Sequence, residues 1–186
     1  INAKQSKFVP IFFHNFSGYD CHLLIKALSK VVTKKLKPIA RTMEDYITLQ
    51  YGCLRFVDSA RILQGSLEGI VSGIKPEDLK ITKHFFKDDE TFKLVTRKGV
   101  FPYDYIKSHD NYLETELPPY EKFYSILKQE NIKPQEYEHA QNVWKTFNIK
   151  NLGHYNDLYL ITDVTLLADS MENFREKFIL DPAHYL

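Results

Sequence analysis

Tyr159 and Asp163 stand one helical turn apart in Tyr159-Leu160-Ile161-Thr162-Asp163, so a phenol and a carboxylate can serve one ligand. The carboxylate is a hard, acceptor-only oxygen donor suited to a divalent cation, and the phenol both donates and accepts. A second set lies in His14-Asn15-Phe16-Ser17-Gly18-Tyr19-Asp20, where the Asp20 carboxylate follows an Asn amide and a Tyr ring. Hard oxygen, planar hydrogen-bonder and stacking surface together suit a cation held beside a nucleotide. The same residues also suit a strand-to-helix turn with Asx hydrogen bonding and Asp20 capping the helix. An Asp on an amphipathic helix is, equally, an ordinary solvated residue.

Both sets need elements to position them. Phe8-Val9-Pro10-Ile11-Phe12-Phe13 reads as a buried strand ending where the polar residues begin, and Leu23, Leu24, Ala27 and Leu28 recur at helical spacing after Asp20. Extended segments at 38–42 and 46–57 predict a hairpin or meander. Short helices open near Ser66 and Lys75. The stretch 87–119, punctuated by Lys98-Gly99, Phe101-Pro102 and Leu117-Pro118-Pro119, is expected as a long surface excursion. Helices are expected over 120–129, 134–147 and 151–178. On a helix of about 3.6 residues per turn, Leu160, Ile161, Val164, Leu167, Ala168, Met171 and Phe174 form one stripe that should pack on the sheet. Asp163 and Tyr159 fall at its edge. Asp169 points about 150° away and is expected as a solvated charge without a role. The layout is α/β or α+β, a sheet covered by helices with a helical last third.

Composition narrows the function. The chain has 186 residues, enough for one ordinary domain, and one compact unit is the default. Twenty-five basic residues against 24 acidic ones leave a net charge of +1, so a polyanion must meet a local patch rather than a long-range basic field. The 44% hydrophobic content excludes disorder. No apolar run approaches the roughly 20 residues that cross a bilayer, so no membrane role is expected. Cys21 and Cys53 form no CxxC pair, which supports neither a disulfide framework nor a zinc site and fits a reducing, intracellular compartment. Tyr103, Tyr105, Tyr112 and Tyr120 lie in polar stretches and are expected to be partly buried with hydrogen-bonded hydroxyls. The chain begins at Ile1 without a leader, as a piece of something longer would.

Asn15-Phe16-Ser17-Gly18-Tyr19-Asp20 resembles the second exonuclease motif of family B DNA polymerases, an Asn followed shortly by Phe or Tyr and then Asp. Tyr159-Leu160-Ile161-Thr162-Asp163 resembles the third, a Tyr with an Asp four residues on. Between them, Phe56-Val57-Asp58-Ser59-Ala60-Arg61-Ile62-Leu63 and Lys98-Gly99-Val100-Phe101 are similar to the Ser-Leu-x-x-hydrophobic and Lys-x-x-hydrophobic motifs of the protein-primed branch. Leu117-Pro118-Pro119, Tyr137-Glu138-His139-Ala140 and the run from Asp163 to Asp169 look most like its Polinton (Maverick) transposon members. The likeness covers nearly the whole chain. Ala60 departs from the Leu of its motif, and Ser66-Leu67-Glu68-Gly69-Ile70 also fits that pattern. The family's first motif, Asp-x-Glu, does not occur before His14.

The resemblance implies an RNase H-like exonuclease fold lacking its first strands, with 1–186 a partial 3′-5′ exonuclease domain of a larger polymerase. It implies proofreading by two-metal phosphodiester hydrolysis with Mg²⁺ or Mn²⁺. Asp20 and Asp163 would be metal ligands, Tyr159 would orient the water, and Lys98 would stand near the phosphate. His14, Asn15, Tyr19 and Ser59 would grip the single-stranded 3′ end of DNA by hydrogen bonds and stacking. The remaining partners would be the palm, fingers and thumb and a terminal protein primer, in the nucleus if the element is eukaryotic. Without Asp-x-Glu this stretch is expected to show negligible nuclease activity alone. The other classes consistent with these residues are a catalytically dead module binding single strands or a terminal protein, and an RNase H-like nuclease outside the polymerases.

Overall fold

The computed structural model describes residues 8–18, 20–30, 36–40 and 46–178. Its contacts gather into two compact units, Ile1–Ser66 and Leu67–Leu186, where the length suggested one. The class is mixed α/β.

In the first unit, strand β1 (Val9–Phe13) leads through a 3₁₀ turn to helix α1 (Asp20–Leu28), as the sequence predicts, with Asp20 in the first turn, but β1 is not the buried strand expected: Val9 and Phe12 are exposed and none of its residues is buried. Strands β2 (Leu36–Ala40), β3 (Tyr46–Tyr51) and β4 (Leu54–Asp58) follow, in sheet order β1-β4-β3-β2. The expected meander is present, with β2–β3 and β3–β4 antiparallel, while β1 lies parallel to β4. The segment read as one strand over 46–57 is broken in two at Gly52-Cys53, because Gly52 takes φ 60° and permits a two-residue turn. α1 covers one face of the sheet, burying Phe16 and Cys21 against Leu49 and Phe56. The rings of Phe13, Phe16 and Phe56 meet at 5.1 to 6.3 Å between centroids, within the range of favourable aromatic pairs.

The second unit packs α2 (Leu67–Ser72), α3 (Lys80–Phe85), α4 (Asp89–Leu94) and α5 (Pro134–Thr146) around or beside α6 (Leu152–Phe178). Three expectations are corrected here. The stretch 87–119 is irregular apart from α4 and two 3₁₀ turns, Tyr103–Tyr105 and His109–Leu113, but is no surface excursion. Val95, Phe101 and Pro102 are buried, and Val100, Tyr105, Ile106, Tyr112 and Leu117 pack on the core of Ala140, Val143, Leu152, Tyr155 and Tyr159. Its many rings supply apolar area that chain irregularity concealed. Residues 120–129 are not a helix beyond one 3₁₀ turn at Tyr120–Phe123. Asn131 Nδ2 donates to the Tyr120 carbonyl and the Tyr120 hydroxyl to the Ile132 carbonyl, side-chain bonds that compete with helical ones.

The third correction concerns α6. Leu160, Ile161 and Val164 are exposed, and the buried side runs Leu152, Tyr155, Tyr159, Thr162, Leu166, Asp169, in alternating steps of three and four. Reading by apolarity alone chose the wrong ridge, because this face carries polar tips whose hydrogen bonds are met internally. The Tyr155 hydroxyl donates to Val100 O at 2.8 Å, and Ser170 Oγ to Leu166 O at 2.7 Å. Asp169 is 1% exposed rather than solvated. Its carboxylate accepts from Ile81 N, Thr82 N and Thr82 Oγ1 at 2.7 to 2.8 Å and holds the start of α3, a role the sequence reading did not assign. No helix among the described residues is long and apolar enough to cross a membrane.

Candidate active site

In the second unit, α6 anchors its buried face and leaves Asp163 half-buried beside it. The Lys98-Gly99-Val100-Phe101 segment is held against the same helix. Phe101 packs its ring 5.4 Å from that of Tyr159, and the Tyr155–Val100 bond fixes its backbone. Gly99 lies against the Tyr159 ring at a distance where an added Cβ would make only ordinary contact, 3.6 Å. The result brings Lys98 Nζ to 3.4 Å from Asp163 Oδ2. Tyr103 donates from its hydroxyl to the Tyr159 hydroxyl at 2.8 Å, and Tyr159 lies close enough to Asp163 for each to shift the other's titration. Lysine, phenol and carboxylate thus converge within the second unit.

The electrostatics follow from burial. Desolvation raises the Asp163 pKa above the usual carboxylate value, and the Lys98 charge only partly offsets this. Tyr159 is raised by burial first and by the Asp163 charge second, so its phenol remains protonated and able to donate. Asp163 Oδ1 is buried and has no hydrogen-bond partner among the described residues. An acceptor-only oxygen left in this state is costly, and a cation or a water proton would satisfy it. Asp163 therefore fits as one ligand of a hard divalent ion. Among the described residues no group of three or more His, Cys, Asp or Glu side chains gathers to complete such a site.

The first unit holds the other predicted residues. His14 follows β1 and uses both ring nitrogens within the protein: Nε2 donates to Gly65 O at 2.9 Å and Nδ1 lies 3.1 Å from Ser59 Oγ. Ser59 is fully buried and donates to Phe13 O, so it supports the turn from beneath rather than facing a ligand, contrary to its expected place at the DNA. Asn15 is exposed and takes φ 64°, a left-handed conformation that Asn tolerates better than most residues. Asp20 is half-buried at the start of α1. Tyr19 lies outside the described residues.

Asp58 has a role that its sequence setting does not announce. Asp58, 2% exposed at the end of β4, accepts from Asn15 N, Ser17 N, Ser17 Oγ and Ala60 N and so shapes the whole His14–Ser17 turn. Burial works to raise its pKa, but these N–H and O–H donors outweigh it and the value is lowered. Its available signal was an Asp closing a strand just before a 3₁₀ turn, the position of a cap. Tyr103, the fifth residue after Lys98, has the hydrogen-bonded hydroxyl expected of it, but its partner, Tyr159, is visible only in the structure.

No family model, curated protein or solved structure matches the chain.

Proposed function

We propose that the chain is the 3′-5′ exonuclease region of a protein-primed family B DNA polymerase, with an RNase H-like fold. The observation that carries this reading is the meeting of Lys98 with Asp163 at 3.4 Å beside Tyr159. Two short motifs far apart in the chain, each unremarkable alone, supply three of the side chains that removal of a 3′-terminal nucleotide would use.

The chemistry of each follows from its surroundings. Tyr159, held protonated and fed by the Tyr103 hydroxyl, orients a water on the scissile phosphate. Lys98 offsets charge that develops on the phosphate oxygens. Asp163, raised by burial and with one oxygen unpartnered, would hold one Mg²⁺ or Mn²⁺, and Asp20 is the other carboxylate that the resemblance implies. When bound, a divalent pair polarises the phosphate and lowers the pKa of the attacking water. In the first unit, the turn carrying Asn15 and Asp20, braced by Asp58, takes the single-stranded 3′ end; His14 and Ser59 support that turn. The remaining partners are the polymerase body and a terminal protein.

The test is metal-dependent shortening of a single strand by the product of the full reading frame. Trimming with Mg²⁺ or Mn²⁺ that is abolished by Asp163→Ala and by Asp20→Ala is expected. Trimming that survives Asp163→Ala overturns the reading, and binding without any trimming assigns a catalytically dead module instead.

A further inference from the structure

A second feature of the Leu67–Leu186 unit lies next to the Lys98–Asp163 pair in the chain. Tyr103, Asp104 and Tyr105 form a single 3₁₀ turn, and consecutive Cα atoms are only about 3.8 Å apart. Tyr103 turns to Tyr159, while Asp104 and Tyr105 line an open groove of about 430 Å³ together with Lys107, Glu121, Lys122 and Tyr124.

The groove is built rather than incidental. The Tyr105 hydroxyl donates to Glu114 Oε2 at 2.7 Å, and Asn111 Nδ2 donates to the other oxygen at 2.7 Å, so the ring is fixed from its far end. Asn111 Oδ1 in turn accepts from the Lys107 and Ser108 backbone N–H groups. One Asp104 oxygen accepts from Ile126 N at 2.9 Å, which ties the opposite wall to the same turn. Lys122 places its ammonium 5.7 Å from the Tyr105 ring centre. Neither Lys107 nor Lys122 makes an ion pair among the described residues, and the half-exposed Tyr124 phenol has no hydrogen-bond partner there.

We propose that this groove is a second contact for single-stranded nucleic acid, taking the nucleotides next to those held at Asp163. The inference rests on the exonuclease reading. The exposed Tyr124 ring, Lys107 and Lys122, neither lysine in an ion pair among the described residues and Lys122 resting over the Tyr105 ring, offer one flat stacking face and two cationic partners for phosphate, the combination that holds a single strand without reading its sequence. Asp104 and Glu121 balance the two lysines formally, so stacking rather than charge carries the affinity. This agrees with a chain whose net charge is only +1. Tyr103 reaches Tyr159 while the next two residues of the same 3₁₀ turn line the groove, which sets the groove beside the Tyr159 side of the site.

The experiment compares binding of oligothymidylates of about 4 and about 12 nucleotides by fluorescence anisotropy. Expected is a longer strand bound about tenfold or more tightly, an advantage removed by Tyr124→Ala and reduced by Lys107→Ala/Lys122→Ala, with the short strand unaffected. Equal binding of both lengths by the unsubstituted chain, or an advantage that survives Tyr124→Ala, overturns the groove while leaving the exonuclease reading intact. Loss of the short strand alone, with the longer one still dependent on Tyr124, overturns the Asp163 site as the anchor and retains the groove. Circular dichroism of each surface variant, expected unchanged, separates lost contact from lost fold.

Discussion

Lys98 Nζ stands 3.4 Å from Asp163 Oδ2, an ion pair that brings a loop lysine to the long C-terminal helix while the other carboxylate oxygen stays buried and unpartnered. The pair is therefore half satisfied. Burial still holds the Asp163 pKa above its ordinary 3.8, and the stability consequence has a definite sign. A carboxyl whose folded pKa is raised costs nothing below 3.8 and destabilises increasingly as pH rises through the folded value. Asp163→Asn is expected to be more stable than the parent chain at neutral pH, with the difference vanishing at acid pH. Urea midpoints across pH check this; an Asn variant less stable at every pH contradicts it.

The unpartnered oxygen gives a metal prediction with a direct readout. Tb³⁺, a hard ion with oxygen ligands like Ca²⁺, should luminesce when excited through the neighbouring Tyr159. Asp163→Ala is expected to abolish the signal and Lys98→Met to strengthen it, because the cation competitor is removed. Signal retained in Asp163→Ala would place the ion elsewhere.

Asp169 makes the strongest stability prediction. Asp169→Ala leaves three donors of α3 without an acceptor in a fully buried setting. The loss is expected at about 3 kcal/mol or more, since bonds to a charged acceptor contribute about 1.5 to 3 kcal/mol each and are not additive. Asp169→Asn, which keeps one acceptor oxygen, should lose less. Equilibrium urea unfolding measures both.

Asp58 behaves oppositely to Asp163 with pH. Its folded pKa is lowered, so its stabilisation is present above the ordinary 3.8 and is lost as pH falls through the folded value. Amide exchange at Asn15 and Ser17, whose N–H groups it accepts, should quicken across that window relative to amides of β3. Uniform exchange across the unit would show that the carboxylate does not hold the turn.

Tyr159→Phe tests positioning against structure. It removes the hydroxyl that receives the Tyr103 bond but keeps the ring that packs on Phe101. Trimming by the full reading frame's product is expected to fall by about 100-fold, with urea stability changed by less than about 1.5 kcal/mol. A parallel loss of stability would make the role structural.

Much of the layout was legible in the residues themselves. The strand before His14, the helix opening at Asp20, the β2–β3–β4 meander and the long final helix follow from local periodicity and turn residues, which act over a few positions. The pairing of Tyr159 with Asp163 was legible for the same reason, as both lie on one helix. What local rules misjudged was which side of that helix is buried. Leu160, Ile161 and Val164 are its most apolar ridge and face outward, whereas Tyr159, Thr162 and Asp169 are covered.

Sequence alone thus determined most of the elements, though not the absence of a helix over 120–129, and named candidate side chains, because propensity and spacing are properties of short segments. Only the tertiary structure decided that Asp169 is buried, that Asp58 organises the His14 turn and that Lys98 meets Asp163. Each depends on a partner distant in sequence. A polar group can be buried only where such a partner supplies its hydrogen bonds, and no local pattern announces where that partner is.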